Sequence, residues 1–191
     1  MVEVTPPPQS KIYLHLGCGP QEHPAYTNID IFEAPHVHFV QHVDKLPQFE
    51  TDSVEGIYSS HCLEHFGRFE VPVVLQEWHR VLKQGGLLTL SVPDFDSLVT
   101  AYTRSNSDVN QIIFPLMGGQ ANDFDFHKTV FTRASLTSLL FAAGFADIRT
   151  WEPDETALLT FQDWSRFPLP CADGSTVPVS LNLQGTKGRS I

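Results

Sequence analysis

Four groups of residues have types and spacings that could do chemistry. Gly17-Cys18-Gly19 follows an apolar run, Ile12 to Leu16, and Asp30-Ile31 follows a second apolar run eleven positions after Gly19. Such a layout suits a strand, a tight turn and an acid able to hold ribose hydroxyls. Glycine is needed in the turn because a Cβ would block positive φ and close approach of the backbone to a ligand. Asp44-Lys45-Leu46-Pro47 and Ser60-His61 also stand at the ends of apolar runs. His61-Cys62-Leu63-Glu64-His65 spells the inverted zinc-peptidase pattern, and His127 closes the aromatic, acidic run Phe124-Asp125-Phe126. A histidine has a pKa suited to general-base work near neutral pH, so His127 and then His61 are the candidates for that role.

The elements that must position these groups alternate. Strands are expected at 12–16, 26–31, 37–41, 54–59, 86–92 and 145–151, with a last strand from Val177 to Leu183. Several are continuous apolar runs, the pattern of strands buried on both faces of a parallel sheet. A helix over 70–83 carries Val71, Val74, Leu75, Trp78, Val81 and Leu82 on one stripe and is stopped by Gly85-Gly86. A second, over 94–104, is capped by Asp94 and turns Phe95, Leu98, Val99 and Tyr102 inward. A third, over 133–143, is capped by Thr132 and ends at Gly144. The fold class is therefore α/β, an open and mostly parallel sheet with helices on both faces, whose ligands sit outside the carboxyl ends of the strands. Residues 1–10 read as a flexible lead-in and 11–191 as one domain, with 105–130 and 152–176 as lid or substrate insertions.

The motifs taken together resemble the class I S-adenosylmethionine-dependent methyltransferases. The likeness rests on Leu14-His15-Leu16-Gly17-Cys18-Gly19, Ile29-Asp30, Asp44-Lys45-Leu46-Pro47, Ser59 to His65 and Arg80 to Gly86, in that order. It is closest to the small single-domain, methyltransferase-11-like branch. The resemblance implies a Rossmann-like seven-stranded sheet with the last strand antiparallel. It implies S-adenosylmethionine as cofactor, held by Gly17, Cys18, Gly19, Asp30, Ile31, Asp44, Leu46, Ser60 and His61. The methionine part would lie over the glycine turn, the ribose on Asp30 and the adenine on Asp44 and Leu46. The acceptor implied is an oxygen or nitrogen of a small molecule or saccharide.

The chain also departs from that pattern. His15 stands where the family usually has an acid, and Gln21 where it usually has a glycine. Only ten residues, with Pro20 and Pro24 among them, separate Gly19 from Asp30. A complete βαβ crossover with its helix needs about 10–12 residues or more, so the first crossover helix is expected to be a loop or a single turn. A dinucleotide site is disfavoured on the same ground, because it needs a helix N-terminus at the pyrophosphate and Glu22 occupies the third glycine position. Two rivals remain: a non-catalytic binding module on the same fold, and a zinc peptidase using His61, Glu64 and His65. The peptidase reading requires a long helix where an apolar run ends, so no metal is expected.

Composition narrows the partners. The 191 residues are 41% hydrophobic and 18% charged, ordinary for a globular domain with a real core. A net charge of −10 with no basic run argues against nucleic acid. No apolar stretch approaches the ~20 residues of a membrane span. Three scattered cysteines without metal spacing, and an N-terminus lacking an apolar leader, suggest a reducing, cytoplasmic setting. His15 and Trp78 read as core residues, Cys18 as a small buried filler, and His36 and His38 as a half-exposed strand face.

Overall fold

The computed structural model describes residues 11–153 and 163–188, which leaves the expected lead-in over 1–10 outside the described residues. The chain runs β1 (Tyr13–Leu16), β2 (Thr27–Asp30), β3 (Phe39–Val40), β4 (Val54–Ser60), α1 (Val71–Val81), β5 (Leu82–Pro93) and α2 (Phe95–Arg104). There follow α3 (Ile113–Met117), α4 (Arg133–Ala142), β6 (Phe145–Thr150), β7 (Pro168–Pro170), β8 (Thr176–Pro178) and β9 (Ser180–Lys187). Seven strands form one sheet in the order β3-β2-β1-β4-β5-β9-β6. The β3-β2-β1-β4-β5 pairs are parallel, and β9 is antiparallel to both β5 and β6. This is the Rossmann-like sheet with an antiparallel last strand that the sequence reading anticipated. Between β1 and β2 the chain forms turns and no helix, so the first crossover is indeed reduced to a loop.

The apolar stripe of α1 accounts for its position. Val71, Val74, Leu75, Trp78 and Val81 are all buried, against Leu14, Leu16, Ile57, Leu88 and Leu90 of the sheet. Each such side chain contributes roughly 1.5–3 kcal/mol relative to exposure. Trp78 also donates its indole N–H to the Val43 carbonyl at 2.9 Å, which fixes the segment leading into Asp44. α4 packs on the same core through Leu136 and Leu140, behind a capping box of Thr132 and Ser135.

The structure departs from the sequence pattern in three places. Gly85-Gly86 does not stop α1. The helix ends where Leu82, fully buried, turns extended and pairs with Val54, and the glycines sit inside β5 at an irregularity in its register with β4. The last strand does not run from Val177 to Leu183. Residues 176–178 pair with β7 in a separate hairpin, and the sheet strand begins at Ser180. Val99 faces solvent and Ala101 takes the inward place on α2, because this helix packs on Val177 of the hairpin and on Val179, which follows it.

The second face of the sheet is aromatic and polar. Tyr13, His15 and Tyr58 project from it, and among the described residues Tyr26, Trp151 and Asp163 cover them. Trp151 donates to the Leu90 carbonyl at 3.0 Å, and the Tyr58 hydroxyl donates to the Asp163 carboxylate. His15, 2% exposed, lies in this layer, and burial lowers its pKa from 6.5 to about 4.

The unfolded chain therefore takes up this proton near pH 6.5, whereas the folded one resists it until about pH 4. Stability attributable to His15 is complete above pH 6.5 and is lost as pH falls through that window, by at most about 3 kcal/mol. Urea denaturation of wild type and His15→Phe between pH 7 and pH 4 checks this. The wild type is expected to lose stability more steeply, and parallel curves would refute the assignment.

Candidate active site

The Gly17–Gly19 turn is built by the end of β2. The Ile29 carbonyl accepts from the backbone N–H of Gly17 at 2.9 Å and of Cys18 at 3.2 Å. The Asp30 carboxylate, 8% exposed, accepts from the Gly19 N–H at 2.8 Å and the Phe32 N–H at 2.9 Å. Gly17 and Gly19 both have positive φ, +66° and +52°, in the region that only glycine enters without strain. A Cβ on Gly17 would fall 2.5 Å from the Cys62 sulfur, whereas one on Gly19 would meet nothing within 4 Å. His36 closes the turn from outside, its Nε2 2.9 Å from the Gly19 carbonyl, and His38 accepts from the Asn28 N–H at 3.0 Å. These two histidines pin the turn and the strand beside it.

The turn opens on a cleft of about 960 Å³ at the carboxyl ends of the strands. Gly17, Gly19, Asp30, Ile31, Asp44 and His61 all line it, so the sheet brings six of the expected site residues together. Three expected cofactor residues do not line it. Leu46 is fully buried in the core, because Glu77 accepts its N–H at 2.7 Å while Arg80 donates to its carbonyl at 3.1 Å, turning the side chain inward. Arg80 also holds Glu77 at 2.7 Å and the Phe49 carbonyl at 3.0 Å, so this arginine anchors the 43–49 wall. The hydrogen bonds it donates to Glu77 keep that carboxyl below its usual range. Cys18 is buried under the turn with its thiol pushed up to about 12 by burial, and it is no nucleophile. Ser60 is absent from the lining, because by strand alternation its side chain shares the Tyr58 face of β4.

Part of the wall comes from residues that no sequence motif marks. Phe32, Val43, Pro47, Phe66, Val73 and Lys128 line the cleft. Phe32 meets Phe124 edge-on at 6.0 Å, and His42 meets it at 5.6 Å, so the loop over 122–125 leans across the opening. The unusual density of aromatics in that loop was the legible signal. From the 105–130 stretch, Asn122, Asp123, Phe124, Asp125 and Lys128 line the cleft. None of the described residues 163–176 lines it, and Trp164 instead backs His61 at 5.9 Å. Residues 154–162 of the second expected insertion lie outside the described residues.

The two histidines considered as bases part company. His61 lines the cleft, with its Nε2 2.7 Å from the Ser180 hydroxyl and its Nδ1 3.3 Å from Glu64 Oε1. His127 does not line it. Its ring is withdrawn beside Glu64, its Nδ1 is 3.0 Å from the Pro115 carbonyl, and burial lowers its pKa. For Glu64, burial alone would raise the carboxyl, but the imidazoles around it, His61 first, outweigh burial and hold it below the usual range. The zinc-peptidase reading fails on geometry. β4 ends at Ser60, His61 has φ +49°, and only Leu63–His65 forms a single 3₁₀ turn, so no long helix places His61 and His65 on one face.

With this geometry in hand, the chain proves to match the methyltransferase domain family over residues 5–150, and it belongs to that family. No curated protein matches it in sequence. Solved structures of similar fold include an S-adenosylmethionine-dependent methyltransferase of Archaeoglobus fulgidus. It is 15% identical, with 94% of this chain and 87% of that one covered and a TM-score of 0.58. Another, from Thermotoga maritima, is 18% identical over 92% of this chain and 82% of that one, with a TM-score of 0.57. The 1,6-didemethyltoxoflavin-N1-methyltransferase of Burkholderia thailandensis is 19% identical over 93% of this chain and 71% of that one, with a TM-score of 0.55. Identities this low carry the fold alone, and that fold is the class I methyltransferase one. Among the described residues no helix is long and apolar enough to cross a membrane.

The glycine turn yields a prediction that separates conformational strain from collision. Gly17→Ala carries a positive φ and a clash with Cys62, and is expected to destabilise by about 2–3 kcal/mol. Gly19→Ala carries the positive φ alone and is expected to lose about 1 kcal/mol. Chemical denaturation of both variants checks the order, and equal losses would show that Cys62 does not press on the turn.

Proposed function

We propose that this methyltransferase transfers a methyl group from S-adenosylmethionine to an oxygen or nitrogen of a small-molecule or saccharide acceptor. One observation carries the reading: a buried carboxylate, Asp30, aimed at a glycine turn on the rim of a cleft at the carboxyl ends of the strands. Each carboxylate oxygen has two acceptor sites, and Asp30 uses one on each for Gly19 and Phe32, so capacity for two ribose hydroxyls remains. Gly17 and Gly19 offer backbone without side chains to the amino-acid part of the cofactor. Ile31, Val43 and Pro47 supply the apolar wall for the base that Leu46 does not, and Asp44 stands among them for its amino group. Asp30, Asp44, Glu70, Asp123 and Asp125 outnumber Lys45 and Lys128 in the lining, a balance that suits a cationic ligand. A volume of about 960 Å³ lies at the upper end of the ~300–1,000 Å³ of small-molecule sites, enough for cofactor and acceptor side by side.

The sulfonium supplies an electrophilic methyl carbon when the cofactor is bound. The residues of the chain then have to align and dry the acceptor. Proximity and orientation contribute ~7–11 kcal/mol in favourable cases. Phe124, leaning on Phe32 and His42, is placed to exclude water, and His61 forms the wall next to the acceptor. Residues 11–191 act on this reading as one domain with 105–130 as its cover. The Burkholderia thailandensis structure of similar fold contains 1,6-didemethyltoxoflavin and S-adenosylhomocysteine, which supports a small-molecule acceptor here. The three cysteines are free, which supports a reducing, cytoplasmic setting.

A second reading, a binding module without turnover, is favoured by the histidines: His127 lies off the cleft, and the His61 Nε2 is engaged with Ser180. Incubation with methyl-labelled cofactor and cell extract, with mass detection of labelled products, separates the two. Cofactor binding itself is tested at Asp30. Charge-assisted hydrogen bonds are worth ~1.5–3 kcal/mol each, so Asp30→Ala is expected to weaken S-adenosylhomocysteine binding at least roughly tenfold in calorimetry. An unchanged dissociation constant would remove Asp30 from the site.

A further inference from the structure

Glu64 is a buried carboxylate that neither the cofactor reading nor the core explains. It is 0% exposed, and among the described residues its closest polar contact is the His61 Nδ1 at 3.3 Å, with no well-aligned hydrogen bond to either side-chain oxygen. Burying an ionised carboxylate without compensation costs several kcal/mol, so a partner of opposite charge is required. His61 Nδ1 lies 3.3 Å and His127 Nε2 3.9 Å from the Glu64 carboxylate, and one ligand atom each of Glu64, His65 and His127 lie within 4.8 Å of one another.

The hydrogen-bond partners fix what these rings present. A carbonyl can only accept, so His127 Nδ1, 3.0 Å from the Pro115 carbonyl, and His65 Nδ1, 3.2 Å from the Phe126 carbonyl, both carry hydrogen. Their Nε2 atoms therefore hold lone pairs in the neutral rings. Ser180 donates its hydroxyl to the Trp164 carbonyl at 2.8 Å, so it accepts from His61 Nε2, which leaves the His61 Nδ1 lone pair towards Glu64. The neutral histidines thus turn acceptors towards a carboxylate. A histidine whose other N–H is tied to a backbone carbonyl is also the usual arrangement around a metal ligand.

The loop geometry holds the group together before any ion arrives. The Glu64 carbonyl accepts from Lys128 N–H at 2.8 Å and Thr129 N–H at 3.2 Å, and the His127 N–H donates to the Met117 carbonyl at 3.0 Å. These bonds tie the 3₁₀ turn to the loop that carries His127. We propose that Glu64, His65 and His127 bind one divalent metal ion of zinc's class. Two imidazoles and a carboxylate are a recognised donor set for that ion, with distances of about 2.0–2.2 Å. Tetrahedral ligands at that range stand about 3.4 Å apart, so side-chain shifts on the order of 1 Å close the site. His65 lines the cleft, and a fourth position remains for solvent or a bound molecule.

The alternative is that no metal enters and Glu64 keeps only its contacts with the imidazoles. Chelator-stripped full-length protein, titrated with zinc by calorimetry and with cobalt(II) by visible absorption, distinguishes them without any methyl-transfer assay. One zinc per chain is expected, with four-coordinate cobalt bands. Glu64→Gln and His127→Gln are each expected to weaken zinc binding at least tenfold and to abolish the bands. His65→Gln provides the same readout should Glu64→Gln fail to fold by circular dichroism. No stoichiometric zinc binding by wild type, or binding that persists undiminished in folded His127→Gln and His65→Gln, would overturn the proposal.

Discussion

The end of β2 is the constraint on which the rest depends. One carbonyl, that of Ile29, takes the N–H groups of both Gly17 and Cys18, and one carboxylate, that of Asp30, takes those of Gly19 and Phe32. In a longer crossover a helix would continue from the glycine turn, with its first N–H groups left without partners inside the helix. Here no helix intervenes, and the donors are met across the strand instead. The acid that would grip the ribose is thereby also the acid that shapes the turn. On the proposed reading, binding and folding share a single side chain, whose two backbone bonds set its rotamer.

The opposite wall is held by a different device. Arg80 and Glu77, on the outer turn of α1, clasp the backbone of Leu46 and Phe49, and Trp78 holds the Val43 carbonyl from the core side. The segment bearing Asp44 is therefore presented to the cleft by bonds to its main chain, while Leu46 becomes a core residue. Over both walls the Phe124 loop leans on Phe32 and His42 through ring edges. Contacts of this kind are worth about 0.5–1.5 kcal/mol each.

Much of the fold was legible because it follows from local periodicity. The α1 stripe, the Asp94 and Thr132 caps and the parallel strands are each written in residues a few positions apart, where burial selects side chains at period 3.6 or 2. The shortened first crossover was legible from ten residues and two prolines. The errors arose where distant pairing decided the outcome. Leu82 looked like the last turn of a helix but pairs with Val54, and Val177 looked like part of the last strand but pairs with Leu169 in a hairpin.

The candidate site divides along the same line. Glycines at positive φ, an acid at a strand end and an aromatic loop are properties of short segments, so the sequence alone determined that Gly17, Gly19, Asp30, Asp44 and His61 would share a cleft, and it pointed to the class of chemistry. Whether a side chain faces that cleft depends on what its neighbours leave free. Leu46 is turned inward by Glu77 thirty-one positions away, and His127 is drawn to Glu64 by backbone bonds across more than sixty. The convergence of three imidazoles on one buried carboxylate joins a 3₁₀ turn, a loop and the strand bearing Ser180. Only tertiary structure could decide it, because the hydrogen bonds that orient each ring come from residues far apart along the chain.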